Sequence, residues 1–194
     1  MFFGVRKGTS KIILDSSSSI LQRENTTLAP QIELTKEAIN LRRFNYVYWG
    51  TPISGDFYSQ IDGAIAVGQT TGNAFDLRYK YVSGGGANNL WQPLTATETG
   101  RGFITRVKEQ APFTDATTPG TIQMKFTGAA NNGDITVGVV NNPSNPDGGS
   151  SHNLLANPYP SAIDAEKFLR ENTAIDGVLY IWRSNLGSNN NNGT

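Results

Sequence analysis

The segment Phe44–Trp49 constrains the fold more than any other part of the chain, because it is aromatic or aliphatic at five of six positions. Successive side chains of a strand point to opposite faces. The two faces would carry Phe44, Tyr46 and Tyr48 on one side and Val47 and Trp49 on the other. Because both faces are apolar, the segment is predicted to be a central strand, ended by the proline of Gly50-Thr51-Pro52.

Further short β-patterned segments alternate with turns rich in Gly, Asn and Pro. Glycine occurs 21 times, and Gly and Asn tolerate the positive φ of tight turns. Asn132-Gly133 is a favoured turn pair and predicts a hairpin between the strands that flank it. The patterns predict strands at 32–41, 75–82, 102–107, 121–126, 134–140 and 177–182.

One helix is predicted near the end of the chain. It follows Asn157-Pro158-Tyr159-Pro160, with Ser161 as N-cap candidate and Asp164 three positions on. Apolar residues then recur at helical spacing, and Asn172 is a plausible stop. Many strands with one short helix near 161–172 predict a mainly β fold, a β-sandwich or jelly roll, as a single module over residues 1–194.

The composition removes several classes of partner. Lys+Arg and Asp+Glu both number 16, so the formal net charge is zero. Such a chain has no long-range field to attract nucleic acid, and it lacks the net repulsion that keeps small proteins apart. No apolar run approaches the ~20 residues of a membrane span. With no cysteine, disulfides, Cys-ligated zinc and a thiol nucleophile are excluded.

Catalytic patterns are weak. His152 is the only histidine; it lies in a Ser/Asn/Gly loop, and no Gly-x-Ser-x-Gly elbow accompanies it. The carboxylates that a glycosidase would need lie in turns or on the helix, and the sequence does not pair them. We therefore expect no enzyme and no catalytic residues. A hydrolase would require a cleft that joins His152 to a nucleophile, or two of the candidates Asp56, Asp62, Glu98, Asp164 and Glu166.

Binding candidates are few. Calcium takes several oxygen ligands, and weak calcium candidates are Asp134, beside Asn131 and Asn132, and Asp147, beside Asn142 and Asn145. No other cofactor is expected. Trp91 lies in a polar context next to Gln92-Pro93 and is the candidate ligand-binding residue, because exposed aromatic rings stack on sugars. Trp49 and Trp182 lie within apolar strands and are predicted to be core.

Together, five stretches resemble a module of very large secreted proteins of the Bacteroidota that are exported by type IX secretion. The most distinctive is the Asn-Pro-Tyr-Pro-Ser-Ala block at 157–162. The resemblance covers about residues 10–185, and its stretches are 44–53, 100–104, 126–133, 153–164 and 177–182. It implies an extracellular or cell-surface location and a role as scaffold, adhesin or gliding-associated component, and it carries over no catalytic residues.

The resembled proteins continue past the final strand, so we expect this chain to be a fragment or to receive strands from elsewhere. An open sheet edge exposes unpaired N–H and C=O groups that another chain can fill. We therefore expect a structural or adhesive module whose partners are other copies or other surface proteins at open sheet edges. The alternative is a carbohydrate-binding module with glycan partners.

Overall fold

The computed structural model describes residues 11–25, 30–84, 90–142, 144 and 151–181. Eight strands form two four-stranded sheets that pack face to face, so the predicted mainly β sandwich is confirmed. A short 3₁₀ helix spans Tyr58–Gly63 and the helix α1 spans Ala165–Glu171. The strands are β1 (Ile12–Leu14), β2 (Ile32–Leu41), β3 (Tyr46–Trp49), β4 (Ile65–Ala66), β5 (Phe75–Tyr81), β6 (Trp91–Pro93), β7 (Phe103–Val107) and β8 (Gly120–Gly128).

The first sheet has the order β1-β2-β8-β4. Its longest pairing is the antiparallel one of β2 with β8, which runs from Ile32 opposite Gly128 to Leu41 opposite Gly120 and has an irregularity after Ala38. The short strand β1 adds in parallel to β2, and β4 adds to the other side of β8. The predicted strand at 32–41 is confirmed, and pairing with β8 satisfies its backbone along almost its full length.

The second sheet has the order β3-β7-β5-β6, with every pair antiparallel. A bulge in β5 lies between Phe75 and Leu77. Because a one-residue shift moves all following side chains to the opposite face, Phe75 points into the core while Leu77, Tyr79 and Tyr81 point outward. The bulge thereby decides which side chains of β5 face the other sheet.

Aromatic rings fill the space between the two sheets. Phe126 of β8 stacks on Phe57 with ring centroids 4.3 Å apart and lies 6.5 Å from Trp49 of β3. Trp49 also packs edge-on against Phe75 at 6.1 Å. Its indole N–H donates to Thr105 Oγ1 at 2.9 Å, which satisfies a polar group that burial would otherwise penalise. Trp49 is core, as predicted; Trp182 lies outside the described residues.

The prediction of a central strand at Phe44–Trp49 is wrong in position. The strand begins at Tyr46, because Phe44 adopts a left-handed φ of 64°, and β3 lies at an edge of its sheet. Only Val47 and Trp49 face the core. Tyr46 and Tyr48 point outward, where a tyrosine ring can be half-exposed because its hydroxyl remains hydrated. Both faces of this segment are apolar because the outer face of β3 is aromatic, and not because the strand lies in the centre of its sheet.

Two other predicted strands are absent from the described residues. Residues 134–140 form no strand, so β8 has no hairpin partner there. This segment instead closes over one end of the second sheet, where Val137 abuts Gly100 and Val140 lies near Gly84. Residues 177–181 also form no strand, because no described strand lies beside them.

The helix is confirmed but begins later than Ser161. Asp164 is the N-cap, and its carboxylate accepts from the backbone N–H of Lys167 at 2.9 Å. Asp caps a helix as well as Ser does, and the turn at 157–161 is held by its own hydrogen bonds. Asn172 ends the helix as predicted, and no residue of α1 is buried.

Replacing Phe126 by Ala tests the aromatic contact between the sheets. We expect the free energy of unfolding to fall by about 3–5 kcal/mol, because a fully buried ring leaves a cavity. Urea denaturation would measure the loss. The control Ile39→Ala, on a residue that is 63% exposed, should change stability by less than about 0.5 kcal/mol. Equal effects of the two substitutions would contradict this account of the core.

Candidate binding surface

The outer face of the second sheet carries a continuous aromatic patch, which we call the aromatic face. Cross-strand register places its members side by side: Tyr48 and Tyr79 both lie opposite Ile104, and Tyr81 lies opposite Trp91. Ile104 is only 6% exposed yet lies outside the core cluster, because the surrounding rings cover it. The aromatic face consists of Tyr46, Tyr48, Tyr79, Tyr81 and Trp91.

Trp91 is the centre of this face. It packs edge-on against Tyr81, with centroids 5.1 Å apart, and reaches Tyr48 at 6.3 Å. It nevertheless keeps 40% of its surface exposed. Burial raises the pKa of the Tyr48 and Tyr81 hydroxyls, so both stay neutral hydrogen-bonding groups. The structure therefore places the predicted binding residue among further aromatic rings that flank an exposed indole.

A polar rim borders the aromatic face. Arg106 makes two hydrogen bonds to the carboxylate of Asp76, at 2.8 and 3.0 Å, and its guanidinium lies 5.1 Å over the Phe44 ring. The Asp76 carboxylate raises the pKa of Arg106. Planar charged groups beside exposed rings can hydrogen-bond a polar ligand that lies on those rings.

A shallow groove of about 410 Å³, which we call the β5 groove, runs along the first half of β5. Its apolar lining includes Tyr58, Leu77 and Pro93, and its charged lining includes Asp76, Arg78 and Lys108. Arg78 is held under the Tyr58 ring at 5.3 Å and pairs with Asp62. Lys108 is exposed and has no ion pair among the described residues.

The segment Val178–Ile181 presents four consecutive large apolar residues to solvent. Tyr180 and Ile181 are 82% and 89% exposed. The Tyr180 ring packs against His152, with centroids 5.8 Å apart. Apolar, β-branched and aromatic residues of this kind favour strands, so an exposed run without a neighbouring strand indicates a binding surface or an aggregation-prone segment.

His152 and the candidate carboxylates are each exposed and serve local structure. The backbone carbonyl of His152 accepts from Ser83 Oγ at 2.6 Å. Asp56 accepts from the backbone N–H groups of Tyr58 and Thr97. Asp164 caps α1, and Glu166 lies 4.0 Å from Arg170 on the same helix. Asp62 pairs with Arg78, and Glu98 lies in the turn before Arg101.

The asparagines beside the calcium candidate Asp134 make structural hydrogen bonds. Asn131 is buried and donates to the carbonyls of Thr51 and Pro158. Asn132 donates to the carbonyl of Glu24 at 2.6 Å. Asp134 is exposed, and Asp147 and Asn145 lie outside the described residues. Within the described ranges, no group of three or more His, Asp or Glu side chains could hold a metal ion.

The Asn-Pro-Tyr-Pro block fastens distant parts of the chain together. Tyr159 donates its hydroxyl to the carbonyl of Gly133, and Asn157 closes its own turn by donating to the carbonyl of Ser161. Pro160 is buried, and its carbonyl accepts from the backbone N–H of Ile20. The block therefore connects the turn at Gly133 and the segment at Ile20 to the chain that leads into α1.

Fold and surface together define a β-sandwich with an aromatic outer face, an open groove and an exposed apolar segment. The model of a family described as a domain of unknown function, DUF8693, matches residues 5–193, so the chain belongs to this family. No curated protein and no solved structure matches the chain. Across the described ranges, no helix is long and apolar enough to cross a membrane.

Replacing Asp56 by Asn tests whether its charge holds the loop at Thr97. Hydrogen bonds from Thr97 and Tyr58 hold the Asp56 pKa below its ordinary value of 3.8. A lowered folded-state pKa stabilises the fold above the unfolded pKa, and this contribution is lost as the pH falls through the folded-state pKa. Asp56→Asn should therefore destabilise at pH 7 and differ less from wild type at pH 3, as urea denaturation at both pH values would show. An unchanged difference would refute a role for the charge.

Proposed function

We propose that this chain is a non-catalytic, extracellular structural or adhesive module of a bacterial surface protein, which assembles with other copies or other surface proteins by strand addition. The exposed segment Val178–Ile181 is the observation that carries the proposal. It combines high strand propensity with solvent exposure, and only another polypeptide or a sheet edge can bury it and pair its backbone.

The rest of the sandwich supports assembly by the same route. Both sheets end in short strands, β1 and β4 in one and β3 and β6 in the other. Short edge strands leave backbone groups of their longer neighbours open for pairing. Zero net charge removes long-range repulsion between copies. The resemblance of five stretches to secreted Bacteroidota modules supports the surface location.

Sedimentation velocity at micromolar concentration tests the assembly. We expect the wild-type chain to form dimers or larger species, and the double substitution Tyr180→Lys, Ile181→Lys to shift it towards monomer, because charge prevents burial of the segment. The matched control is Leu21→Lys, on an apolar residue that is 74% exposed elsewhere; it should leave the distribution unchanged. A wild-type chain that remains monomeric would refute assembly through copies of itself.

The aromatic face favours a second candidate function, carbohydrate binding. An exposed indole flanked by neutral tyrosines and a rim of Arg106 and Asp76 matches what sugars require: apolar ring faces for stacking and polar groups for hydroxyls. On this hypothesis Trp91 and Tyr81 contact the ligand directly. The ligand would be a polysaccharide without strong charge, since Arg106 and Asp76 neutralise each other.

Pull-down with insoluble polysaccharides and a glycan array tests this second function. Trp91→Ala should weaken binding about fivefold, since one aromatic contact contributes roughly 1 kcal/mol. Tyr180→Ala removes an exposed ring outside the aromatic face and should leave glycan affinity unchanged. Equal losses from both substitutions, or no binding by the wild-type chain, would remove the aromatic face as a glycan site.

A further inference from the structure

The strand β5 has one edge that is only half covered. Along one edge of β5, strand β7 pairs with residues Phe75 to Lys80. Along the opposite edge, β6 pairs only with residues from Tyr79 onward, and the last backbone hydrogen bond there is from Leu94 N–H to the carbonyl of Arg78 at 3.0 Å. In the described part of the chain, no strand pairs with Phe75–Leu77 at this second edge. The β5 groove follows that uncovered stretch.

The chemistry of the groove selects for an apolar strand with an acidic end. Tyr58, Leu77 and Pro93 offer apolar surface. The charges of Asp76 and Arg78 are neutralised by Arg106 and Asp62. Lys108 is left as the charge without an ion pair among the described residues, and its backbone N–H donates to the carbonyl of Ala74, just before β5 begins.

The chain itself contains a segment with the matching chemistry. Val178–Ile181 is apolar and exposed, and Asp176 lies two residues before it, separated by Gly177. Asp176 is also exposed and has no ion pair among the described residues. If the segment ran parallel to β5 with Gly177 level with Phe75, Leu179 would lie level with Leu77, the last residue before β6 covers the edge. Asp176 would then lie level with Ala74, and the Lys108 side chain, which lines the groove from the β7 side, would point towards it. Parallel addition to an edge already occurs in this fold, between β1 and β2.

The segment does not reach the groove of its own chain. Tyr180 rests on His152, and the His152 carbonyl is bound by Ser83, just past the far end of β5. Because a strand rises about 3.3 Å per residue, Ser83 lies roughly 20 Å along the sheet from Leu77. A second copy is therefore the source of the strand that this groove receives.

We infer that residues 177–179 of one copy add in parallel to the open Phe75–Leu77 edge of β5 in a second copy, with the Asp176 side chain facing that of Lys108. This inference rests on the proposed assembly function and specifies its acceptor. It makes the contact head-to-tail, since donor segment and acceptor groove lie on different parts of the same molecule. A contact of this kind propagates into chains or closes into rings.

Because the chain has no cysteine, directed disulfide formation tests the register. Leu77→Cys is mixed with Leu179→Cys, one of them carrying a size tag, under mild oxidation at micromolar concentration. Strand neighbours lie within the Cα separation that a disulfide requires, so the mixed dimer should form efficiently. The control partner Ile13→Cys, on the edge of β1 and 72% exposed, should link to Leu179→Cys far less.

A charge exchange tests the polar contact without altering the apolar surface. Lys108→Glu and Asp176→Lys should each weaken association roughly tenfold, because each converts an attraction into a repulsion. Mixing the two variants should restore association at the contacts where the exchanged charges meet. Arg23→Glu makes the same charge change at an exposed residue outside the groove and should have little effect.

The outcomes separate this inference from the function on which it rests. If the wild-type chain associates but Leu179→Cys links no better to Leu77→Cys than to Ile13→Cys, the β5 acceptor is wrong and assembly stands. Association that is insensitive to Lys108→Glu and Asp176→Lys would count against the proposed register in the same way. A strictly monomeric wild-type chain would overturn both.

Discussion

The contact of Trp49 with Phe126 across the two sheets is the interaction on which the rest of the structure depends. It joins β3 of one sheet to β8 of the other, and Phe57 and Phe75 extend it in both directions. The hydrogen bond from Trp49 to Thr105 fixes the indole and ties β3 to β7. With that ring facing inward, alternation along β3 obliges Tyr46 and Tyr48 to face outward.

Tyr46 and Tyr48 form part of the aromatic face because β5 and β6 contribute aromatic residues to the same side of the sheet. The bulge after Phe75 turns Tyr79 and Tyr81 outward, and pairing with β6 sets Trp91 beside Tyr81. A packed core and an aromatic exterior thus arise from the same strands. The strand β6 is too short to pair with all of β5. The β5 groove therefore lies where the pairing of β5 with β6 ends.

The residues considered for reaction chemistry serve local structure. The candidate carboxylates hold turns, cap a helix or pair with arginines, and His152 supports the apolar segment through its ring contact with Tyr180. The proposed assembly uses backbone pairing and apolar burial, which need no activated group. The β5 groove shares Tyr79 with the aromatic face and Asp76 with its polar rim, whereas Trp91 and Tyr81 lie outside the groove lining.

By itself the sequence determined the fold class, the approximate positions of most strands and the single helix, because alternation, turn residues and caps are local properties. It also singled out Trp91 as exposed. Only the tertiary structure decided which face of each strand lies inside, that β3 is an edge, and that 134–140 and 177–181 remain outside the sheets. A period of two shows that side chains alternate, but pairing register, a bulge and the opposing sheet decide which side is buried.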